Sequence, residues 1–324
     1  MHYPRPMNLL TSSSVFPKTI SPVTCGGPLD RRAFMGRWLA LFGLTSAAFE
    51  SLTCRSDGNL SGAFRTPQAE GSPSAGLTLT WDRNLLVIQD AKIPGGRVEI
   101  NYLEAYCRSG STNRRWEETV IPHRTEKLDA TSDGKSMRLL SKLQGGVEVQ
   151  HEMRAGQDEV TFQVKAVNRG SGYVDAVWVQ PCIRVGPFTG RGQQDYVERS
   201  FIFVTGKLTP LDKTRRTTEA IYKGGQVYVP AGIGLADVNP RPISPDVPSN
   251  GLIGCFSADG RYILATAWEP YQELFQGVVI CLHSDFRLGG LSPGETKTAR
   301  GKIYLVKNDA EELLRRYQRD FDNR

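Results

Sequence analysis

The chain has no Cys-x-x-Cys pair among its six cysteines and only four histidines in 324 residues. A zinc knuckle and a thioredoxin-like redox site are therefore excluded by motif. It also lacks a glycine loop set between a strand and a helix. Gly190-Arg191-Gly192 has no such setting, so phosphate cradling and nucleotide use are not expected, and no cofactor is called for. Its most apolar stretch, Trp38 to Leu44, is too short to cross the roughly 30 Å hydrocarbon core of a bilayer.

Charge of one sign is equally scarce beyond the start of the chain. The net charge is +6, but Arg5, Lys18, Arg31, Arg32 and Arg37 against Asp30 give the first 48 residues +4, leaving +2 for the rest. Phosphate backbones require Lys and Arg clustered on one face. Here basic residues sit among acids, as in Arg114-Arg115-Trp116-Glu117-Glu118, which reads as an ordinary solvated face. No nucleic-acid partner is expected.

What is present at the start is an address. Asp30-Arg31-Arg32-Ala33-Phe34-Met35 leads into the apolar Trp38–Leu44, and Thr45-Ser46-Ala47-Ala48 supplies small residues before a cut after Ala48. A basic segment, a short apolar core and a small-residue exit form the layout of an export signal. The arginine pair followed by Phe34 resembles a twin-arginine signal. The expected location is periplasmic or secreted, or membrane-tethered if the signal stays uncleaved, with no stable span after its removal. Met1 to Leu29, rich in Ser and Pro, reads as a disordered leader or as sequence upstream of a true start at Met7 or Met35. Leu52 stands one position too late for Cys54 to begin a lipoprotein. Residues 1–48 are thus a leader and 49–75 a linker.

Residues 76–324 read as one β domain. Val147-Glu148-Val149-Gln150-His151-Glu152-Met153 and Val160-Thr161-Phe162-Gln163-Val164-Lys165-Ala166-Val167 alternate apolar and polar residues at period two, the mark of a half-buried strand. Similar runs recur at 77–81, 85–89, 97–106, 137–143, 173–185, 201–205, 226–229, 252–256, 262–268, 278–282 and 302–306, many of them bounded by turn chemistry such as Asp133-Gly134 and Asp259-Gly260. Strands without interleaved helices predict antiparallel sheets stacked in a large all-β sandwich. One helix closes the chain, with Asn308 as cap, Glu311 three positions on, and Leu313, Leu314, Tyr317 and Phe321 as the stripe packed on a sheet. Ala231 to Gly251, with four prolines, and Gly186 to Arg199 are irregular excursions and candidate rims or covers of a groove.

After Gly76, the turn Val167-Asn168-Arg169-Gly170 is followed by a long run containing Pro181. Near the end of the chain, Leu291-Ser292-Pro293-Gly294-Glu295 precedes Gly301-Lys302-Ile303-Tyr304. This order resembles the galactose mutarotase-like supersandwich domains of aldose epimerases, glycoside hydrolases and polysaccharide lyases. The resemblance implies a two-layer sandwich with a short C-terminal helix and a concave sheet facing sugar, mono- or polysaccharide. In the mutarotases the strand after the Asn turn carries a His-Pro pair whose His is the acid. Here the pair is Gln180-Pro181, and an amide exchanges no proton near neutral pH. The resemblance therefore does not carry epimerase activity over.

Other residues offer chemistry. His283 ends a strand-like run with Asp285 two residues on, a general base or a hydrogen-bonded turn residue. Trp268-Glu269-Pro270-Tyr271-Gln272-Glu273 joins aromatic faces for stacking on sugar C–H surfaces to carboxylates for hydroxyls. The candidate catalytic residues are His283, Glu269 and Glu273. The candidate sugar contacts are Trp268, Tyr271, Asp285, Gln180 and His151, the last of which shares the parity of the apolar Val147, Val149 and Met153. No metal set stands out. Cys182, Cys255 and Cys281 lie in apolar runs as small hydrophobes. Three function classes remain: an exported glycan binder or processor, a hydrolase or lyase using His283 with a carboxylate, and a non-catalytic module of the cell envelope.

Overall fold

The structure, a computed structural model, describes residues 76–322. The arginine pair, the cut after Ala48 and Cys54 lie outside them. Sixteen strands occur among the described residues: β1 (Thr78–Asp82), β2 (Leu85–Gln89), β3 (Arg97–Cys107), β4 (His123–Ala130), β5 (Ser136–Leu143), β6 (Val147–Ala155), β7 (Glu159–Asn168), β8 (Trp178–Arg184), β9 (Ser200–Val204), β10 (Lys207–Pro210), β11 (Gln226–Tyr228), β12 (Pro248–Phe256), β13 (Tyr262–Glu269), β14 (Tyr271–Gln276), β15 (Cys281–Arg287) and β16 (Thr296–Lys307). They form a seven-stranded sheet, β1-β2-β3-β8-β15-β14-β11, and a nine-stranded sheet, β10-β9-β12-β13-β16-β7-β6-β5-β4. Every ladder between these strands is antiparallel. The two-sheet all-β sandwich expected from the alternation is what forms.

The period-two pattern sorts side chains between core and solvent. On β6, Val147, Val149, His151 and Met153 are buried, while Gln150 faces out. Ile100, Tyr106, Val179, Ile183 and Phe286 of the seven-stranded sheet meet Leu139, Val149, Phe162, Ile253 and Trp268 of the other in the core between the layers. Where the pattern becomes continuously apolar, as in Phe201-Ile202-Phe203 and Ile263-Leu264-Ala265, both faces are covered. The outer face of β9, β12, β13 and β16 carries Phe201, Phe203, Ile263, Ala265 and Tyr304 against Leu313, Tyr317 and Phe321 of the chain's end.

That end is the helix Ala310–Tyr317 followed by a wider turn, Gln318–Asp322. Its cap is Asp309, whose Oδ1 accepts from the Glu312 N–H at 2.9 Å, one residue later than the expected Asn308. Asn308 instead donates to the Gly260 carbonyl at 2.7 Å, so its amide is committed to a turn of the sheet. Arg316 clamps the helix to Asp158 and Glu159.

Three strands lie outside the runs expected from alternation. β4 is largely exposed and polar, because it is the last strand of its sheet. β10 is four residues long. β14 carries buried Gln272, Glu273 and Gln276, so its polar letters hide its burial. The long run expected from Tyr173 to Val185 shortens to β8, with Val174 held by a single bridge to Leu291. Pro181 lies inside β8, a central strand, where a missing N–H is tolerated only at an irregularity. The irregularity is on the β3 side, where pairing shifts from Asn101/Cys182 to Ala105/Gln180. On the other side β15 keeps one register, Ile183/Leu282 and Val179/Phe286, with the pairs between them missing from the ladder.

Candidate functional site

Beside the break at Pro181, strand parity places Gln180 and Cys182 of β8, Cys281, His283 and Asp285 of β15, and Glu273 of β14 on the face of the seven-stranded sheet turned away from the core. Glu273 stands directly opposite Asp285, and Phe275 opposite His283. Four of the candidate residues, Gln180, Glu273, His283 and Asp285, are thus brought together. None is open to solvent: each is 2% exposed or less. The proline-rich excursion is the cover. Its Ile233, Val238 and Ile243 pack on Val227, Val229 and Phe275, and the Asn239 N–H donates to both Glu273 oxygens at 3.2 and 3.1 Å. Ser111 closes the other side, donating to the Val238 carbonyl and accepting from Trp178 Nε1 at 3.1 Å. The second excursion, Gly186 to Arg199, folds into two short helical turns, and Tyr196 Oη donates to the Gly277 carbonyl at 2.5 Å.

Burial dominates the electrostatics here. It pushes the Glu273 carboxyl up to about 8, against the opposing pull of the Asn239 N–H. It pushes Asp285 well above the usual carboxylate range, helped by Glu273 and Glu104. Contact with the Cys182 thiol, then His283, pulls Cys281 below the usual thiol range despite its burial, while Cys182 is pushed up by that same contact and by burial. Both Asp285 oxygens and His283 Nδ1 are buried without a hydrogen-bond partner. Buried polar groups are nearly always satisfied, so three such atoms at one place call for an explanation.

The other four candidates go elsewhere, for a topological reason. β13 belongs to the nine-stranded sheet and β14 to the seven-stranded one, so the chain changes layers at Pro270. Trp268 points into the core, 2% exposed, stacked 4.4 Å from Phe286 and tilted 5.4 Å from Phe162. Tyr271 packs, half-buried, on that core. Glu269 stays on the outer face of the nine-stranded sheet, ion-paired with Arg300. His151 sits between the sheets, its two ring nitrogens 3.0 and 2.9 Å from the Tyr102 and Tyr106 hydroxyls. Trp268 and His283 therefore lie on opposite sides of the seven-stranded sheet. The single aromatic-and-carboxylate hollow expected of Trp268 to Glu273 does not form.

An open hollow exists instead on the outer face of the nine-stranded sheet, with a volume of about 650 Å³. It is crossed by a row set by register alone: Arg138 of β5 opposite Glu152 of β6, opposite Gln163 of β7, opposite Arg300 of β16, opposite Glu269 of β13. Gln150, Lys165 and Thr298 line the next row, and Leu128 and Pro270 add apolar surface. Arg300 is fixed, its Nε donating to Glu269 at 2.6 Å and its guanidinium 5.2 Å from the Phe321 ring. Glu152 accepts from Arg154 at 2.9 Å, and Arg138 donates to Asp129 at 2.9 Å. Of the sequence candidates only Glu269 and His151 border this hollow. The others were signalled by nothing except their outward parity on strands that turn out to be neighbours.

Solved structures similar to this chain include proteins described as aldose epimerases or galactose mutarotase-like proteins. One is a putative aldose 1-epimerase from Escherichia coli K12, 12% identical, covering 71% of this chain and 99% of its own, with a TM-score of 0.37. Another is a galactose mutarotase related enzyme from Lactobacillus acidophilus, 9% identical over 71% of this chain and 97% of its own, TM-score 0.36. A polysaccharide lyase, 9% identical, covers 75% of this chain but matches only 35% of its own length, TM-score 0.31. No protein-family profile and no curated protein matches the chain. These likenesses carry no assignment of activity.

Proposed function

We propose that this is an exported carbohydrate-binding protein that holds a glycan in the hollow of the nine-stranded sheet. The observation that carries the reading is the row Arg138, Glu152, Gln163, Arg300 and Glu269, one side chain from each of five adjacent strands at the floor of an open hollow. Its volume lies within the roughly 300–1,000 Å³ of small-ligand sites. Guanidinium, carboxylate and amide groups each offer paired donors or acceptors, which suit adjacent sugar hydroxyls. Cations and anions alternate, so neither a polyanion nor a membrane surface is favoured. Leu128, 45% exposed, and Pro270 supply apolar patches for C–H faces.

Binding is favoured over catalysis because the groups able to move protons, Glu273, His283 and Asp285, are sealed on the other sheet. Glu269 is held by Arg300 as an ion pair. Export rests on the Arg31-Arg32-Ala33-Phe34 leader and its short apolar core, and fusion of residues 1–48 to a reporter should carry it across the inner membrane.

The test is a glycan array followed by calorimetry on the folded chain. A hydrogen bond to a charged group contributes about 1.5–3 kcal/mol, so Arg300→Ala is expected to weaken glycan binding by roughly 10- to 100-fold. Gln163→Ala should have a smaller effect in the same direction, and no reducing sugar should be released. Absence of saturable binding to any glycan by demonstrably folded protein would reject the reading and leave a structural role in the envelope.

A further inference from the structure

We infer that Cys182, Cys281 and His283 form a binding site for a thiophilic metal ion, with Asp285 orienting the imidazole. One donor atom from each of the three residues lies within 4.8 Å of the other two, and Cys281 Sγ is 3.2 Å from His283 Nε2. Around a tetrahedral ion with metal–sulfur bonds of about 2.3 Å and metal–nitrogen bonds of about 2.0 Å, such atoms sit roughly 3.5–3.8 Å apart. Small rotamer adjustments close that difference. Cys281 and His283 are two residues apart on one face of β15, and Cys182 comes from the adjoining β8, so the donors are carried on paired central strands.

Two further observations and a charge argument point to an ion rather than to packed thiols. First, a metal-bound histidine turns its second ring nitrogen to a carboxylate or carbonyl. His283 directs Nε2 at the sulfur, and its otherwise orphaned Nδ1 faces Asp285 Oδ1 at 3.8 Å, beyond a hydrogen bond but close enough for a small side-chain adjustment to make one. Second, Gly277 lies against the donors. A Cβ there would stand 2.3 Å from Cys281 Sγ and 3.1 Å from His283 Nε2, so glycine is what leaves both atoms room. Third, two thiolates neutralise a divalent ion, and a neutral centre can be buried where a lone charge cannot. All three donor residues are buried.

Two sulfurs and one nitrogen select zinc-like or copper-like ions over Mg²⁺ and Ca²⁺, which demand oxygen. Three protein ligands leave a fourth position. The sequence hid this set because Cys182 and Cys281 are 99 residues apart and meet only through the β8–β15 register. The site lies on the other sheet from the glycan hollow, and neither reading depends on the other.

The test uses the whole chain, purified reduced, with Co²⁺ as the spectroscopic probe and Zn²⁺ as competitor. The expected result is one Co²⁺ per chain showing thiolate-to-cobalt charge transfer and tetrahedral d–d bands, both abolished by Zn²⁺. Cys182→Ser and Cys281→Ser should each lose at least one thiolate contribution, and Asp285→Asn should weaken binding by about 10- to 100-fold. Cys255→Ser, in a separate part of the core, should leave the spectrum intact. Circular dichroism of each variant establishes that it is folded. Cobalt bound without charge transfer, or wild-type protein that takes up no cobalt while folded, overturns the site. So does mass spectrometry showing a Cys182–Cys281 disulfide in protein purified without reductant that reduction does not convert to a metal-binding form. Glycan binding by the metal-stripped chain is read separately, so failure here leaves the hollow untouched.

Discussion

Replacing Trp268 by alanine is expected to destabilise the domain by about 3–5 kcal/mol, the usual cost of deleting a large buried aromatic side chain. For a domain of this size that corresponds to a fall in melting temperature of roughly 6–20 °C. The ring is sandwiched between Phe286 of one sheet and Phe162 of the other, so its removal opens a cavity where the two layers meet. The fit is tight from a third side: a Cβ at Gly301 would stand 2.4 Å from Trp268 Cδ2. The rigid indole cannot yield, and Gly301→Ala should cost at least the 1–3 kcal/mol typical of overpacking. Thermal melts of both variants check this. Trp268→Phe, which keeps an apolar ring, should recover most of the stability and bind glycan as wild type does. Loss of glycan binding by folded Trp268→Phe would instead make Trp268 a ligand contact, contrary to its position in the core.

Acidification below pH 6.5 should destabilise the fold through His151. Burial, reinforced by His123, lowers its pKa from 6.5 to about 3, so between those values the unfolded chain binds a proton that the folded chain refuses. The group's contribution is present above pH 6.5 and is lost progressively as pH falls to about 3. At 1.36 kcal/mol per unit, the loss is at most about 5 kcal/mol. The physical cause is visible: the imidazole bridges the sheets, bonded to Tyr102 and Tyr106 of one and 3.3 Å from the Ser141 hydroxyl of the other. Neither tyrosine can accept a charge, because burial pushes both hydroxyls far above their ordinary range. Urea midpoints between pH 7 and 4 should fall more steeply for wild type than for His151→Gln, and the His151 ring signals should stay those of a neutral imidazole at pH 5. Equal slopes, or a ring that titrates near pH 6, would refute the assignment.

The layers of the fold were legible because burial on one face imposes period two, as in Val147 to Met153 and Val160 to Val167. The proline-rich excursion was legible as a cover, although its last four residues, Pro248 to Gly251, open β12 instead of staying irregular. What was not legible depends on contacts between residues distant in sequence. Trp268, Glu269, Tyr271 and Glu273 look like one cluster in sequence, yet the change of layer at Pro270 sends them to three environments. His283 and Asp285 were visible as a pair two residues apart on one strand, but Cys182 joins them only through the pairing of β8 with β15. The charged row of the hollow was equally hidden, since each member is an ordinary outward residue until five strands are placed side by side.

The order of strands has a consequence for self-association. Two open sheets leave four margins, and an unpaired margin is a template for another chain. Each margin is blunted differently. β4 presents Glu126, Lys127 and Asp129, β10 runs for only four residues and ends in Pro210, and β1 for only five. β11 is capped by its own chain, Val227 exchanging backbone hydrogen bonds with Pro242 and Ser244. A sandwich so bordered disfavours fibril-like stacking even at high local concentration, a useful property for a protein whose layers are otherwise rich in valine, isoleucine and phenylalanine.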